Sequence, residues 1–155
     1  MNTTAAVLDS GGKVFVSDKE ADLLRRIQEI DLTGIKRRLC AENEWVPKDC
    51  DLVEIRYKRF LFLSVVMNGE AVPVEDVDKM WHMHILSDTE GYMCECKKAV
   101  GYVLHHRVDL SIEIKQETPD HKVRFQRTKI KYEEIFGEQY DKLAAPATCY
   151  TNSCQ

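Results

Sequence analysis

The segment from about residue 50 to residue 67 constrains the fold more than any other part of the chain. Its second half, from Phe60 to Met67, reads Phe-Leu-Phe-Leu-Ser-Val-Val-Met and is apolar on nearly every side of a helix. A helix that is apolar all round has to be enclosed by other elements. Asn68 and Gly69 then supply a typical helix end, because both residues tolerate the left-handed conformation. The sequence therefore predicts a central helix with other helices packed around it.

Apolar residues recur at helical spacing on both sides of this central segment. Ser17 and Glu20 form a capping box at the start of the first pattern. The predicted outer helices run from Ser17 to about Ile30, from about Leu32 to Leu39, and over about 75–86, 89–104 and 121–136. The expected architecture is an all-α, single compact helical domain of about five to six helices.

Only one segment carries the alternating pattern of a β-strand. Apolar and polar residues alternate from Val108 to Lys115, so we expect at most a minor β segment near 108–115. A chain of 155 residues has the size of one domain. We divide it into a loose N-terminal lead-in over 1–16, the helical domain over 17–143, and a flexible cysteine-containing tail over 144–155.

Charge and hydropathy exclude several classes of function. The formal net charge is −4, whereas a nucleic-acid-binding domain carries a basic face. The apolar run over 60–67 is far shorter than the ~20 residues that a membrane span needs. The first residues contain no apolar core of a secretory signal, so we expect a cytoplasmic protein with reduced thiols. None of the six cysteines forms a CxxC pair, which excludes zinc-finger spacing.

Histidine and cysteine residues concentrate between residues 82 and 106. This stretch holds four of the five histidines, His82, His84, His105 and His106, together with Cys94 and Cys96. Imidazole and thiolate are ligands that zinc, iron and copper accept. The clustering predicts a metal centre formed by this part of the chain.

Helical geometry separates the first two histidines. Residues two apart on a helix point about 200° away from each other, so His82 and His84 share one metal ion only if the helix unwinds there. Asp78 stands one turn before His82 and shares its face, as a ligand or as a partner that orients the ring. His84 lies on the apolar face beside Trp81, where a hydrogen-bonded core histidine is the simpler interpretation.

The second group of candidates follows on the fifth predicted helix. If this helix continued through His106, Cys96 and His106 would border one surface. The simpler interpretations are a small buried thiol at Cys96 and histidines that interact with the helix dipole. The first choice of metal ligands is Asp78, His82, His105 and His106, with His84 and Cys96 second.

The residues around these histidines resemble those of a known family. The run Asp76 to Leu86, Asp-Val-Asp-Lys-Met-Trp-His-Met-His-Ile-Leu, resembles the DVDxxWHxHIL motif of the glycine-rich domain-containing protein-like family. Tyr92, Cys96, Gly101 and the His-His pair at 105–106 resemble the continuation of that motif. The absence of a glycine-rich repeat makes the chain look like a small bacterial-type member. The resemblance implies an α-helical domain whose histidines are candidate metal ligands.

The family pattern departs from this sequence after the second histidine pair. An aromatic stretch of the family is replaced over 107–115 by the alternating apolar run. Any wall of the site that those aromatic residues form in the family is therefore not expected here.

Taken together, these patterns predict a metal-binding protein, a small metalloenzyme that acts on a small molecule or peptide. A mixed imidazole and carboxylate set suits zinc or non-haem iron, and a thiolate from Cys96 would favour zinc or copper. The alternative is a non-catalytic protein-interaction domain with structural histidines. No nucleic-acid or membrane partner is expected.

Cys149 and Cys154 either lie in a mobile tail or fold back to join the metal or form a redox pair.

Overall fold

The structure is a computed structural model that describes residues 3–7, 13–107 and 119–141. Six helices dominate the described residues, which confirms the all-α prediction. The elements are β1 (Thr3–Val7), β2 (Lys13–Ser17), α1 (Asp18–Gln28), α2 (Thr33–Asn43), α3 (Pro47–Val66), α4 (Glu75–Ser87), α5 (Thr89–Val100) and α6 (Pro119–Phe136).

Helix α3 is the centre of the domain, as its apolar second half predicts. It packs against α1, α2, α4 and α6. Phe60, Phe62 and Leu63 are completely buried, although they point in different directions around the helix. The helix begins at Pro47, where proline fits the first turn because its missing N–H is not needed there. None of the helices in the described ranges, α3 included, combines the length and the apolar character that a bilayer crossing demands.

The start of α1 confirms the predicted capping box. The Ser17 hydroxyl accepts a hydrogen bond from the backbone N–H of Glu20 at 3.3 Å, and the Glu20 carboxylate accepts one from the backbone N–H of Ser17 at 2.8 Å. These bonds satisfy donors that the first turn of a helix leaves unpaired. Helix α1 therefore begins at the residue that the sequence marks.

The chain before α1 is more regular than the sequence suggested. Instead of a loose lead-in, β1 and β2 form an antiparallel two-stranded sheet in which Thr3 pairs with Ser17 and Val7 with Lys13. Val16 is buried in the core, and β2 contacts α1 and α6. The β-branched residues of β2 carried a strand signal that we did not use. The predicted β segment near 108–115 and the tail with Cys149 and Cys154 lie outside the described residues.

One pair of cysteines is joined across the turn between α2 and α3. Cys40 and Cys50 form a disulfide with their Cα atoms 5.9 Å apart. This differs from our expectation of reduced thiols, because that expectation rested on compartment and on sequence spacing alone. The turn that contains Trp45 brings the two residues together. Cys94 and Cys96 are free thiols.

A buried ion pair fixes α4 against α3. Arg56 donates a hydrogen bond to the Asp76 carboxylate at 2.8 Å and another to the backbone oxygen of Tyr140 at 2.7 Å. The second oxygen of Asp76 accepts a hydrogen bond from the backbone N–H of Val77 at 2.9 Å. Both charged side chains are almost fully buried. The pair therefore joins the central helix, the first turn of α4 and the segment after α6.

Removing one partner of this pair should destabilise the protein strongly. Asp76→Ala leaves the Arg56 guanidinium buried without its counter-charge, which typically costs about 3–5 kcal/mol. Urea unfolding followed by circular dichroism measures the loss. Glu42→Ala is the control, because Glu42 pairs with Arg38 in solvent and such pairs contribute roughly 0–1 kcal/mol. Equal midpoints for the two variants would contradict the assignment.

Buried tyrosines should make the fold sensitive to alkali. Burial raises the pKa of Tyr57, Tyr92, Tyr132 and Tyr140 above the ordinary value of 10.0. The unfolded chain ionises these phenols near pH 10, whereas the folded chain keeps them neutral. The free energy of unfolding should therefore fall as the pH rises above about 10.

Tyrosinate absorbance and circular dichroism, recorded in one alkaline titration, check this expectation. The absorbance of these four tyrosines should appear only as the helical signal is lost. A full rise in tyrosinate absorbance with the helical signal intact would contradict their burial.

Candidate metal centre

Helix α4 carries the first two side chains of the candidate site on its outer face. Three acidic residues in its first turn, Glu75, Asp76 and Asp78, suit the positive end of the helix dipole. The helix is continuous from Glu75 to Ser87, so it does not unwind between the two histidines of the motif. Asp78 and His82 therefore lie one turn apart on the same face, as the sequence predicted.

The third side chain reaches the site because α5 ends earlier than expected. Gly101 adopts a left-handed conformation with φ of 95° and ends the helix, so the predicted continuation to residue 104 is wrong. The chain then turns back towards α4. The Tyr92 hydroxyl donates a hydrogen bond to the backbone oxygen of Leu104, which is buried. His105 and His106 thus follow in irregular backbone beyond the end of α5 instead of lying on the helix.

Trp81 supports this return of the chain. Its indole N–H donates a hydrogen bond to the Tyr92 hydroxyl at 2.8 Å. Its ring centroid lies 4.3 Å from that of His106 and 5.1 Å from that of Phe60. The His106 imidazole therefore packs against the indole ring of Trp81. This packing places the imidazole of His106 beside the outer face of α4.

Three potential ligand atoms converge at this point. His106 Nε2 lies 2.7 Å from an Asp78 carboxylate oxygen and 2.9 Å from His82 Nε2. His82 Nε2 lies 3.6 Å from the other Asp78 oxygen. Ligand atoms about 2.1 Å from a metal ion, at tetrahedral or octahedral angles, are about 3.0–3.4 Å apart. The observed separations bracket this range.

Among the described residues, this is the group of three metal-ligating side chains that the structure brings together. Asp78 and His106 are partly buried, and His82 is more exposed. The arrangement is a possible two-histidine, one-carboxylate metal site. It joins two residues that share a helix face with a third that is 24 positions further along the chain.

His84 faces the opposite side of α4 and does not belong to this group. Its side chain is 3% exposed, with Nδ1 2.9 Å from the Tyr57 hydroxyl and Nε2 2.6 Å from the Glu95 carboxylate. Burial lowers the pKa of His84, and Glu95 opposes that shift by favouring the charged imidazole. Because both ring nitrogens have partners, His84 matches the interpretation of a hydrogen-bonded core histidine.

The structure also places the remaining two candidates outside the group. The Cys96 side chain is buried among core residues. His105 is solvent-exposed, although it is next to the partly buried His106. The geometric argument that joined Cys96 to His106 assumed one continuous helix, and α5 ends between them.

Several residues around the site carried no clear sequence signal. Glu95 meets His84 only because α4 and α5 pack together, and the two residues are 11 positions apart. The Tyr92 hydroxyl links Trp81 to the returning chain, and the helical spacing of α5 does not indicate this contact. Gly101 was the one readable sign, because glycine is common where a helix ends.

A cleft opens beside the three convergent side chains. Its volume is about 830 Å³, and its lining includes Asp78, Trp81, His105, His106 and Arg124. The size falls in the range of about 300–1,000 Å³ that small-molecule sites occupy. The possible metal site therefore borders a space that a small molecule could enter.

Comparison with protein-family models identifies a family for this chain. A family model described as UCP032817-like matches residues 25–145. The chain belongs to this family. Asp78, His82 and His106 all lie in the matched region, so the candidate site is part of the family domain. No solved structure matches the chain.

Two proteins of Arabidopsis thaliana are similar to part of this UCP032817-like chain. Glycine-rich domain-containing protein 1 is 38% identical over 96 residues, which are 58% of this chain and 11% of the plant protein. Glycine-rich domain-containing protein 2 is 35% identical over 96 residues, which are 58% of this chain and 12% of that protein. The matched residues are a small part of each relative. These matches confirm the family resemblance drawn from the motif.

Trp81 should be essential for stability as well as for the position of His106. Its side chain is 7% exposed, so Trp81→Ala should cost roughly 3–5 kcal/mol. Trp81→Phe keeps much of the apolar surface and loses the N–H donor, so its cost should be smaller, about 1–2 kcal/mol. Thermal melts followed by circular dichroism compare the variants.

Leu86→Ala serves as the control on the same helix. Leu86 is 79% exposed, and its truncation should change stability by no more than about 0.5 kcal/mol. If Trp81→Ala melted at the same temperature as Leu86→Ala, the packing described for α4 would be wrong.

Proposed function

We propose that Asp78, His82 and His106 bind one transition metal ion through a carboxylate oxygen and two imidazole nitrogens. The observation that carries this proposal is the convergence of the three ligand atoms within 4.8 Å of one another. They come from two separate segments of the chain. Trp81 and Tyr92 hold the second segment in place, so the convergence rests on buried packing.

A metal ion would satisfy the three ligand atoms better than hydrogen bonds among the three side chains can. Each imidazole Nε2 carries at most one hydrogen, and His106 Nε2 faces both His82 Nε2 and the Asp78 carboxylate. A single N–H cannot point well at two acceptors in different directions. One cation at the centre would interact favourably with all three atoms at once. This argument supports a metal site over a purely structural histidine pair.

The chemistry of the ligands narrows the choice of metal. Two imidazoles and one carboxylate suit zinc or non-haem iron(II). Cys96, the thiol considered for a copper site, is buried outside the group. The proposed ligand set is therefore Asp78, His82 and His106, without the thiol and without His84 or His105.

Three protein ligands among the described residues favour a catalytic over a purely structural metal site. Structural zinc sites are usually closed by four protein ligands, whereas catalytic sites leave a position for water or substrate. The cleft of about 830 Å³ that Asp78 and His106 line gives access to such a position. We therefore propose a small metalloenzyme that acts on a small molecule or peptide. The alternative is a non-catalytic interaction domain in which the three side chains only bond to one another.

Metal analysis of protein from which every affinity tag has been removed tests the proposal directly. After reconstitution with Zn²⁺ or, without oxygen, Fe²⁺, about one ion per chain should remain bound. Asp78→Ala, His82→Ala and His106→Ala should each weaken binding by more than the roughly 10–100-fold that loss of an outer-sphere partner costs. Titration with a competing chelator measures these affinities.

His105→Ala is the matched control, because it removes the neighbouring imidazole from the same segment. Its metal affinity should equal that of the parent protein. If no transition metal binds after reconstitution, the alternative of structural histidines replaces the proposal. If all three ligand variants bind as tightly as the parent, the metal site lies elsewhere in the chain.

Substitution with Co²⁺ tests whether the metal has an open position. Cobalt takes the geometry of a zinc site and reports changes in its ligands through visible absorbance. Azide added to the cobalt protein should alter the spectrum by binding at the open position. A spectrum insensitive to azide would indicate a closed, structural site.

A further inference from the structure

Residues of α6 and of the segment before α4 also line the cleft. Two hydrogen bonds fix this segment by its backbone. The N–H of Val72 donates to the Thr128 hydroxyl at 3.0 Å, and the oxygen of Val72 accepts from the Tyr140 hydroxyl. Thr128 is completely buried. The position of α6 relative to the start of α4 is therefore set by buried contacts.

Arg124 lies on α6 one turn before Thr128 and lines this cleft. The Thr128 hydroxyl donates to the backbone oxygen of Arg124 at 2.8 Å, which ties the two positions together. Arg124 and the ligand candidates Asp78 and His106 line the same space. The lining of the cleft thus includes a guanidinium and two of the three side chains of the possible metal site.

The charge of Arg124 is only weakly matched within the described residues. Its closest carboxylate oxygens belong to Glu70 at 3.7 Å and Asp120 at 3.8 Å. Both distances are too long for a hydrogen bond, and both carboxylates are more than half exposed. The Nε atom of Arg124 is buried and makes no hydrogen bond with the described residues. A buried donor without an acceptor is costly and calls for a partner.

We infer that this cleft binds a small organic acid, with Arg124 as the counter-charge of a carboxylate group. A guanidinium presents parallel N–H donors that match the two oxygens of a carboxylate. Binding would supply a closer acceptor for the guanidinium, whose ion-pair partners among the described residues lie 3.7 and 3.8 Å away. Only one part of the inference rests on the proposed function: a second group of the same molecule would reach the open position of the metal.

The surroundings favour a compact acid over a large one. A volume of about 830 Å³ holds a molecule of metabolite size. Trp81 contributes an apolar surface to the lining. Two carboxylates that also line the cleft form ion pairs within the protein, Glu75 with Lys79 at 3.5 Å and Glu70 with Arg124 at 3.7 Å. A small dicarboxylate could therefore bind Arg124 with one end and reach the metal site with the other.

Binding of succinate to the full-length protein tests the inference. Calorimetry should detect saturable binding in the millimolar range or tighter. Arg124→Gln should weaken that binding about tenfold or more, because a charge-assisted hydrogen bond is lost. Arg124→Lys keeps the charge without the forked donors and should weaken binding less. Arg127→Gln, on an exposed position of the same helix, should bind succinate as the parent does.

The measurements are repeated with His82→Ala protein, which lacks one proposed metal ligand. Dependence on Arg124 should persist in this background even if no metal binds to any variant. A failure of the metal proposal would therefore appear in the metal analysis and leave this inference standing. Conversely, metal binding without saturable succinate binding would overturn only the inference.

Three further outcomes would overturn the assignment to an organic acid. One is equal succinate affinity in the parent and Arg124→Gln proteins. Another is an equal loss of affinity in Arg127→Gln, which would indicate general surface charge. The third is inorganic phosphate binding more tightly than succinate with the same dependence on Arg124. Circular dichroism of Arg124→Gln and Arg124→Lys confirms that the variants compared are folded.

Discussion

A guanidinium enclosed by the core needs a counter-charge at a defined position, and Arg56 obtains it from Asp76. Desolvation of the two charges is expensive, so the pair contributes less to net stability than to the choice of geometry. It fixes which side of α4 faces the core at the first turn. Asp78, two residues later, must then point about 200° away, towards solvent. The outward direction of the candidate site is thus a consequence of a buried contact on the other side of the helix.

The same rotation gives the two histidines of α4 different chemistry. His82 follows Asp78 by one turn and faces outward, where its ring approaches His106. His84 faces inward, where Tyr57 and Glu95 occupy both of its ring nitrogens. Identical side chains two residues apart therefore serve as a candidate ligand and as a core hydrogen-bonding group. Their environments, and not their identity, decide the difference.

The sequence predicted the local features of the fold and of the candidate site. Apolar spacing and capping residues predicted the helices, and 100° per residue predicted that Asp78 would share a face with His82 and not with His84. The position of His106 depended on where α5 ends. Gly101 carried that information, which our prediction of a helix over about 89–104 did not use.

The periodicity of the sequence could not predict contacts between distant segments. The Arg56–Asp76 pair spans 20 positions, and the contact between Arg56 and Tyr140 spans 84. Basic residues interrupt the apolar sequence of α3 at 56, 58 and 59, yet all three are buried. Their burial depends on acceptors supplied by other elements, which no spacing rule locates. The sheet of β1 and β2 was missed for a simpler reason, since the strand signal was present and not used.

Because α4 carries side chains with several separate roles, insertions and deletions within it have large effects. Within nine residues, Asp76 anchors the helix, Asp78 and His82 face the cleft, and Trp81 and His84 face the core. Deleting or inserting one residue in this stretch would rotate everything beyond it by about 100°. Each side chain would then meet the wrong environment simultaneously. A single substitution disturbs one of these environments, whereas a gain or loss of one residue disturbs all of them, so changes in length have to occur in the connections between helices.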